Sequence, residues 1–369
     1  MNREPYYLFA GGGTGGHLTP GLAIAEELRQ QSPAARIAFV GSNRTLENQF
    51  LADRGFERFA LPVESTAVLR RNPLKFLWRN WRAWRIACEL LDAAPPTAVI
   101  GLGGIISVPA VLAAARRKIP TVILEQNVVP GRATRFLSRR VNAVCTTFAE
   151  TRAQLNPSAP VILTGNPVRR DIARLTEVPD RLEQAAQPTL LILGGSLGAT
   201  AVNKAVLQAV ERERPLFAGW KFVHQTGAAQ VIEVRAAYAR LGVSHVVEPF
   251  FNDMADQYRQ STLAVSRAGG TTLAELACCG CPAILIPYPH AADNHQLYNA
   301  RAYAAAGAAV VVEQAAEPTA TAADLAAALR DLDAPTPRRR ALQTAMRRLA
   351  QPDATGHVIA ALLRQRLVD

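Results

Sequence analysis

Tyr6-Tyr7-Leu8-Phe9-Ala10 runs without interruption into Gly11-Gly12-Gly13-Thr14-Gly15-Gly16-His17-Leu18-Thr19-Pro20. The first five residues are apolar and aromatic, which predicts a short buried strand ending at glycine. Pro20 suits the first turn of a helix, and Leu22, Ile24, Ala25 and Leu28 supply its buried face. Strand, glycine loop and helix in that order form a cradle for an anion, because glycine lets the backbone approach a phosphate and helix N-terminal amides point at it. A tight turn that needs positive φ explains one glycine. Five glycines in six positions favour a phosphate or diphosphate site. His17 is the anomaly, since such a cradle has no use for an imidazole.

Outward from this loop, short β-branched runs alternate with helical patterns to the end of the chain, as in α/β folds with parallel sheets. The first half predicts strands at Tyr6–Ala10, Ile37–Val40, Ala98–Ile100, Thr121–Leu124 and Ala143–Thr146. Functional loops of such sheets follow the carboxyl ends of strands, where Gly103-Gly104 and Glu125-Gln126-Asn127 fall. The pattern pauses at Gly165-Asn166-Pro167-Val168-Arg169, then restarts. Thr189–Leu193 is a second buried strand, Gly194-Gly195-Ser196-Leu197-Gly198 a second glycine loop, and a helix follows from Ala199. Further strands are expected at Lys221–His224, Val246–Val247, Leu263–Ser266, Ala283–Ile286 and Ala309–Val312. The expected division is residues 1–164 and 165–352, with a final helix over 353–369 returning to the first domain.

The 369 residues suit two domains, and the composition is that of a globular chain with 49% hydrophobic residues. No apolar run is long enough to cross a bilayer, and the N-terminus shows no basic region followed by an apolar stretch. Five cysteines in a chain of this length point to a reducing compartment, and Cys278 with Cys281 read as small buried thiols rather than a metal pair. The net charge of +11 points to anionic partners, and no helix-turn-helix, zinc-finger or aromatic RNA-binding motif directs it to nucleic acid.

Between Glu64 and Glu89 there is no acid, but there are six bases and three of the four tryptophans. On a helical wheel Leu74, Leu77, Trp78, Trp81, Trp84 and Cys88 share one stripe, flanked by Lys75, Arg79 and Arg82. Two readings fit. An interfacial helix would lay this stripe on an anionic membrane surface; a core-facing helix would bury it and solvate the basic flank.

Taken together, Gly12-Gly13-Thr14-Gly15-Gly16-His17, Glu125-Gln126-Asn127, Gly165-Asn166-Pro167-Val168-Arg169 and Gly194-Gly195-Ser196-Leu197-Gly198-Ala199 carry a resemblance. With Ser266-Arg267-Ala268-Gly269-Gly270-Thr271-Thr272-Leu273-Ala274-Glu275 and Asp293-Asn294-His295-Gln296, they resemble the MurG family of bacterial N-acetylglucosaminyltransferases over essentially the whole chain. The resemblance implies a GT-B fold: two Rossmann-like α/β domains with parallel sheets facing a cleft. It implies transfer of N-acetylglucosamine from UDP-N-acetylglucosamine to the C4 hydroxyl of lipid I, the undecaprenyl-diphosphate-linked N-acetylmuramoyl peptide, with inversion. The product would be lipid II, made by a peripheral enzyme at the cytoplasmic face of the cell membrane. The C-terminal half would hold the donor. By position, the backbone at Phe251 would meet uracil, Glu275 the ribose hydroxyls, and Gly270, Thr271 and Thr272 the diphosphate at a helix start. Ser196 would add a donor to the leaving group, Gln296 would hold sugar hydroxyls, and Asn127 and Arg169 would reach the donor as well. Thr14, Gly15 and Gly16 would contact the transferred sugar, and their loop could also hold the acceptor's diphosphate. His17 and Glu125 are alternative general bases, and His17 could equally orient the acceptor without taking a proton. No cofactor or metal is implied. The chain departs from the family at Leu124, where histidine is common, and at Ile105-Ile106, where an aromatic residue follows the paired glycines.

Other functions compete. Gly11-x-Gly13-x-x-Gly16 satisfies a nicotinamide-dinucleotide fingerprint, but Val40-Gly41-Ser42-Asn43 has no acid for the ribose. A UDP-N-acetylglucosamine epimerase or hydrolase would share the donor logic without needing a basic tryptophan-rich surface. A glycolipid synthase acting on diacylglycerol and a non-catalytic nucleotide sensor complete the set.

Overall fold

The computed structural model describes residues 4–13, 15–42, 47–48, 51, 54–69, 71–178, 187–195, 198–333 and 337–365. Thr14 and Ser196 therefore lie outside the described residues. The chain divides into two compact units, Met1–Arg169 with Asp353–Asp369, and Arg170–Pro352.

The first unit is built on seven strands: β1 Tyr6–Gly11, β2 Arg36–Gly41, β3 Glu57–Ala60, β4 Ala98–Gly103, β5 Thr121–Glu125, β6 Ala143–Thr146 and β7 Val161–Leu163. They form one sheet in the order β3-β2-β1-β4-β5-β6-β7, and its pairings are parallel. A parallel sheet is covered on both faces, so its central strands are apolar throughout rather than alternating. Phe9, Ile100, Val122 and Leu124 pack on one face with Leu22 and Ile24 of the Gly15–Gln31 helix, while Leu8, Val99 and Ile123 pack on the other. The Ala354–Gln365 helix places Val358, Ile359, Ala361 and Leu362 in the first of these clusters. Strands β3 and β7 were not anticipated. They carry exposed and half-buried positions, so they lack the continuous apolar run that marks the others.

The Pro73–Ala93 helix starts at Asn72, whose Oδ1 accepts from Lys75 N at 2.9 Å, with proline in its first turn. It turns Ala83, Ala87 and Leu91 inward, and burying Leu91 alone contributes about 2 kcal/mol. The apolar stripe read from sequence splits at this point. Leu74, Leu77, Trp78 and Trp81 are 78%, 61%, 55% and 52% exposed, so the core does not take them. Trp84 departs from the stripe: it packs half-buried on the second core cluster, under the Arg116 guanidinium at 5.1 Å. The reason is packing, because this helix lies against the Gly104–Arg116 helix and Trp84 meets Arg116 at its end. Arg82 lies over Trp78 and Arg85 over Trp81, 5.7 and 5.3 Å from the ring centroids. Arg79 pairs with Glu64 at 3.2 Å. Among the described residues, no helix is long and apolar enough to cross a membrane.

The second unit repeats the plan with six strands: β8 Thr189–Leu193, β9 Lys221–Gln225, β10 Ser244–Glu248, β11 Leu263–Ser266, β12 Ala283–Leu285 and β13 Ala309–Val311. Their order is β10-β9-β8-β11-β12-β13, again with parallel pairings. Its core joins Leu190, Ile192, Phe217, Phe222, Tyr238, Val265 and Leu325. In each sheet the winding reverses beside the first strand of the unit, between β1 and β4 and between β8 and β11. Ligands of doubly wound sheets bind outside the carboxyl ends at these reversals.

Candidate active site

At the reversal in the first unit, the loop after β1 meets the loop after β4. His17, half-buried in the first turns of the Gly15–Gln31 helix, lies against Gly103: a Cβ there would fall 3.0 Å from His17 Cδ2. Gly103 has φ 102°, a conformation natural to glycine alone, so the backbone and the ring are matched at this point. Gln126 completes the group, its Nε2 donating to Leu102 O at 3.1 Å. Gly15 is buried and Gly16 exposed.

Glu125 occupies a different environment. It is buried, and its carboxylate accepts from Asn127 N and Asn127 Nδ2 at 3.1 Å each and from Gly131 N at 3.0 Å. These bonds close the loop after β5 on itself, with Thr151 Oγ1 donating to Asn127 O at 2.9 Å. Asn127 is thus held by Glu125. At the end of this unit Arg169 is half-buried, and its Nε is a buried atom with no hydrogen-bond partner among the described residues.

The glycine loop itself holds an acid. Glu47 is 4% exposed, and its carboxylate accepts from Gly13 N at 2.6 Å, Ser42 Oγ at 2.7 Å and Ser42 N at 2.8 Å. A Cβ on Gly12 would fall 2.5 Å from Glu47 Oε1, so glycine is required where the carboxylate is seated. Within the chain, Glu47 thus takes one amide of the glycine loop, and its carboxylate is engaged with Gly13 and Ser42 rather than turned to a ribose.

At the reversal in the second unit, the Gly270–Cys279 helix begins after Gly269, which has no side chain to cap it. Its N-terminal dipole favours an anion. Thr271 and Glu275 are buried and Thr272 half-buried on this helix. Tyr258 donates its hydroxyl to Glu275 Oε2 at 2.8 Å, which fixes the carboxylate's rotation. Arg267, between β11 and the helix, donates to Ile286 O at 3.0 Å, Pro287 O at 3.1 Å and Gln314 Oε1 at 2.8 Å. Burial lowers its pKa to about 10, so it keeps its charge at neutral pH. Gln296 follows Asp293 and Asn294, both left-handed at φ 50° and 53°, and its Oε1 accepts from Tyr288 N at 3.0 Å. That bond leaves the Gln296 amide nitrogen as the group it presents. Cys278 and Cys281 are buried and free, and burial pushes the Cys278 thiol up to about 12.

At the outer strands, Phe251 is buried and donates its N–H to Gln225 Oε1 at 3.1 Å, while Gln225 Nε2 donates to Gly195 O at 3.3 Å. Beside it His224 is fully buried, its Nδ1 at 3.0 Å from Tyr238 Oη and its Nε2 at 3.0 Å from Asn203 Oδ1. Asn203 Nδ2 in turn donates to Thr226 O at 3.0 Å and Gln230 Oε1 at 2.9 Å.

Residues 7–146 match the glycosyltransferase family 28 N-terminal domain, and residues 189–357 match the glycosyltransferase family 28 C-terminal domain. A UDP-N-acetylglucosamine--N-acetylmuramyl-(pentapeptide) pyrophosphoryl-undecaprenol N-acetylglucosamine transferase of Syntrophotalea carbinolica is 39% identical, with 95% of this chain and 96% of that protein covered. The enzyme of the same name from Anaeromyxobacter dehalogenans is 40% identical over 97% of this chain and 93% of its own. Crystalline MurG of Acinetobacter baumannii superposes with a TM-score of 0.73 at 30% identity, covering 98% of this chain and 99% of that one. The chain belongs to the MurG family. It is a glycosyltransferase, and both of its parallel-sheet domains are of the GT-B kind. The UDP-N-acetylglucosamine 2-epimerase of Neisseria meningitidis aligns with a TM-score of 0.64 at 15% identity over 98% of this chain and all of its own, a likeness of fold alone.

Within this MurG-family chain, Glu47, Gln225 and Tyr258 were not singled out from sequence, and Gln126 was read only as part of Glu125-Gln126-Asn127. Gln225 had a usable signal: it is the last residue of a buried strand, at the edge where ligands bind. Glu47 and Tyr258 had none, because each acts on a backbone or side chain distant in sequence.

Proposed function

We propose that this enzyme transfers N-acetylglucosamine from UDP-N-acetylglucosamine to the C4 hydroxyl of undecaprenyl-diphosphate-linked N-acetylmuramoyl peptide, inverting the anomeric centre, in peptidoglycan synthesis. What chiefly supports the reading is identity near 40% with enzymes named for this transfer, across both units and nearly their whole length.

In this reading the second unit holds the donor. Glu275, whose Oε2 accepts from Tyr258, is an acceptor for the ribose hydroxyls. The start of the Gly270–Cys279 helix, with Thr271 and Thr272, faces the diphosphate, and Gln296 donates to sugar oxygens. Phe251, whose N–H is taken by Gln225, offers its carbonyl to uracil N3–H. Thr14 and Ser196, outside the described residues, and Asn127 and Arg169 are assigned to the donor by the resemblance alone.

His17 is the general base. Its imidazole takes the proton of the C4 hydroxyl as that oxygen bonds to the anomeric carbon. The bond to the β-phosphate oxygen breaks, and its electron pair leaves with UDP, stabilised by helix amides. Glu125 suits this role less well, since three hydrogen bonds already hold its carboxylate within its own loop. It positions Asn127 instead. With Gly13 N–H given to Glu47, the first glycine loop serves to place Gly15, Gly16 and His17 rather than to bind a second diphosphate through that amide.

The lipid-linked acceptor lies in a membrane, and the exposed Leu74, Leu77, Trp78 and Trp81, edged by Lys75, Arg79, Arg82 and Arg85, form the surface that contacts anionic lipid. The enzyme is thus peripheral, at the cytoplasmic face of the cell membrane.

Labelled UDP-N-acetylglucosamine supplied with lipid I or with diacylglycerol tests the reading. Label is expected on lipid I alone. Free sugar in place of labelled lipid I would sink it, and label on diacylglycerol would reassign the acceptor. His17→Ala is expected to lose far more turnover than Glu125→Gln; near-native turnover of His17→Ala removes it as the base.

A further inference from the structure

The loops of the second unit that the donor reading assigns to opposite ends of UDP are joined by one side chain. Gln225 ends β9, with Leu193 at the end of β8 on one side and Glu248 at the end of β10 on the other. Two residues beyond Leu193 is Gly195, in the second glycine loop; three beyond Glu248 is Phe251. Gln225 spans from one loop to the other, donating to Gly195 O at 3.3 Å and accepting from Phe251 N at 3.1 Å, and it is 5% exposed.

We infer that Gln225 is a positioning residue that holds the glycine loop and the base-binding loop at a set separation, so that diphosphate and uracil are recognised as one ligand. The inference rests on the donor site proposed above. A carboxamide suits the task because it has a donor and an acceptor on one rigid plane, while the two loops present one carbonyl and one N–H. The surroundings leave it little freedom. Thr226 N donates to Glu248 O at 3.0 Å and Gly227 N to Pro249 O at 3.1 Å, which lays the loop after β9 along the loop after β10. On the other side Gly198 packs so closely that a Cβ there would overlap Thr226 O and sit 2.9 Å from Gly227 Cα. The preceding residue, His224, points to the opposite face of the sheet and anchors the same turn through Asn203 and Thr226 O. Consecutive residues of one strand thus brace the turn from both faces.

The test compares UDP with uridine, which lacks the phosphates, by calorimetry on the full chain. Gln225→Met keeps the length and removes both hydrogen bonds. UDP is expected to bind about tenfold more weakly, the loss of one or two hydrogen bonds, while uridine changes by about twofold or less. The KM for UDP-N-acetylglucosamine should rise by about the same tenfold factor, with kcat little changed. Gln225→Asn retains the carboxamide on a shorter stem and cannot reach both loops, so it is expected to behave like Gln225→Met. Equal losses for UDP and uridine, an unchanged UDP affinity, or full rescue by asparagine would each overturn the inference. Failure of the parent chain itself to bind UDP would instead overturn the donor-site reading.

Discussion

The imidazole of His17 lies on the backbone of Gly103, close enough that a Cβ on that glycine would approach Cδ2 to 3.0 Å and Nε2 to 3.3 Å. His17 lies in the first turn of the helix that follows β1 and Gly103 is the last residue of β4, the two strands being neighbours across the reversal of the sheet. Gly103→Ala therefore meets two obstacles, φ 102° and the ring. It is expected to cost about 1–3 kcal/mol of stability and to displace the imidazole. Turnover should fall tenfold or more with the KM for UDP-N-acetylglucosamine nearly unchanged if the ring acts on the acceptor, as proposed. Steady-state kinetics beside a thermal melt reads both effects, and unchanged kcat would separate the ring's position from catalysis.

Glu47 seats the first glycine loop. Glu47→Gln turns a carboxamide nitrogen towards one of the donors that the carboxylate now accepts from, at Gly13 or Ser42. The expected loss is about 1–3 kcal/mol, with faster hydrogen exchange at Gly13 N–H. Activity should fall through kcat. Native exchange at Gly13 in the variant would show that the loop stands without its clamp.

Tyr258 orients Glu275 through a 2.8 Å hydrogen bond. Tyr258→Phe removes this orienting hydrogen bond from the carboxylate, so a three- to tenfold rise in the KM for UDP-N-acetylglucosamine is expected, about 1 kcal/mol. Glu275→Gln, which replaces one acceptor oxygen with a donor, should raise it further. If the phenylalanine variant has the parent's KM, the ribose does not depend on this carboxylate's rotation.

His224 makes the second unit sensitive to acid. Burial lowers its pKa from 6.5 to about 3, so the folded chain resists a proton that the unfolded chain accepts. The stabilisation is fully present above the unfolded value and is lost as pH falls from 6.5 towards 3, at about 1.4 kcal/mol for each pH unit in that window. Denaturant titrations at stepped pH should show this slope in the parent and a shallower one in His224→Gln. Equal slopes would place the acid sensitivity elsewhere.

Two tryptophans on one helix are expected to behave differently. Trp81 is exposed and Trp84 packs on the core, so Trp81→Glu should reduce sedimentation with anionic vesicles and leave the melting temperature nearly unchanged. Trp84→Ala should cost about 3 kcal/mol and leave vesicle binding intact in the folded protein. Retained vesicle binding by Trp81→Glu would remove this helix from the membrane surface.

Much of the architecture was legible before any coordinates. The central strands of both sheets were visible because a parallel strand buried on both faces is a continuous apolar run, and each ends at a glycine or polar turn. The edge strands β3 and β7 escaped because their half-exposed residues resemble any loop. On the Pro73–Ala93 helix, periodicity placed Trp84 with Trp78 and Trp81, but a helical wheel does not state which part of the stripe a neighbouring helix covers.

The sequence by itself determined the doubled plan of strand, glycine loop and helix, and with it the ends of the sheets where a ligand would sit. These are local properties: hydrophobic period, glycine content and helix starts are written within a few residues of one another. Only the tertiary structure decided which distant side chains hold the loops, because those partners are joined by hydrogen bonds across long sequence separations. Glu47 on Gly13, Tyr258 on Glu275 and Gln225 between Gly195 and Phe251 each satisfy a group that leaves no trace in the neighbouring sequence. In the first glycine loop the Gly13 N–H is given to the chain's own Glu47, since a partly buried N–H takes the acceptor that the fold brings to it.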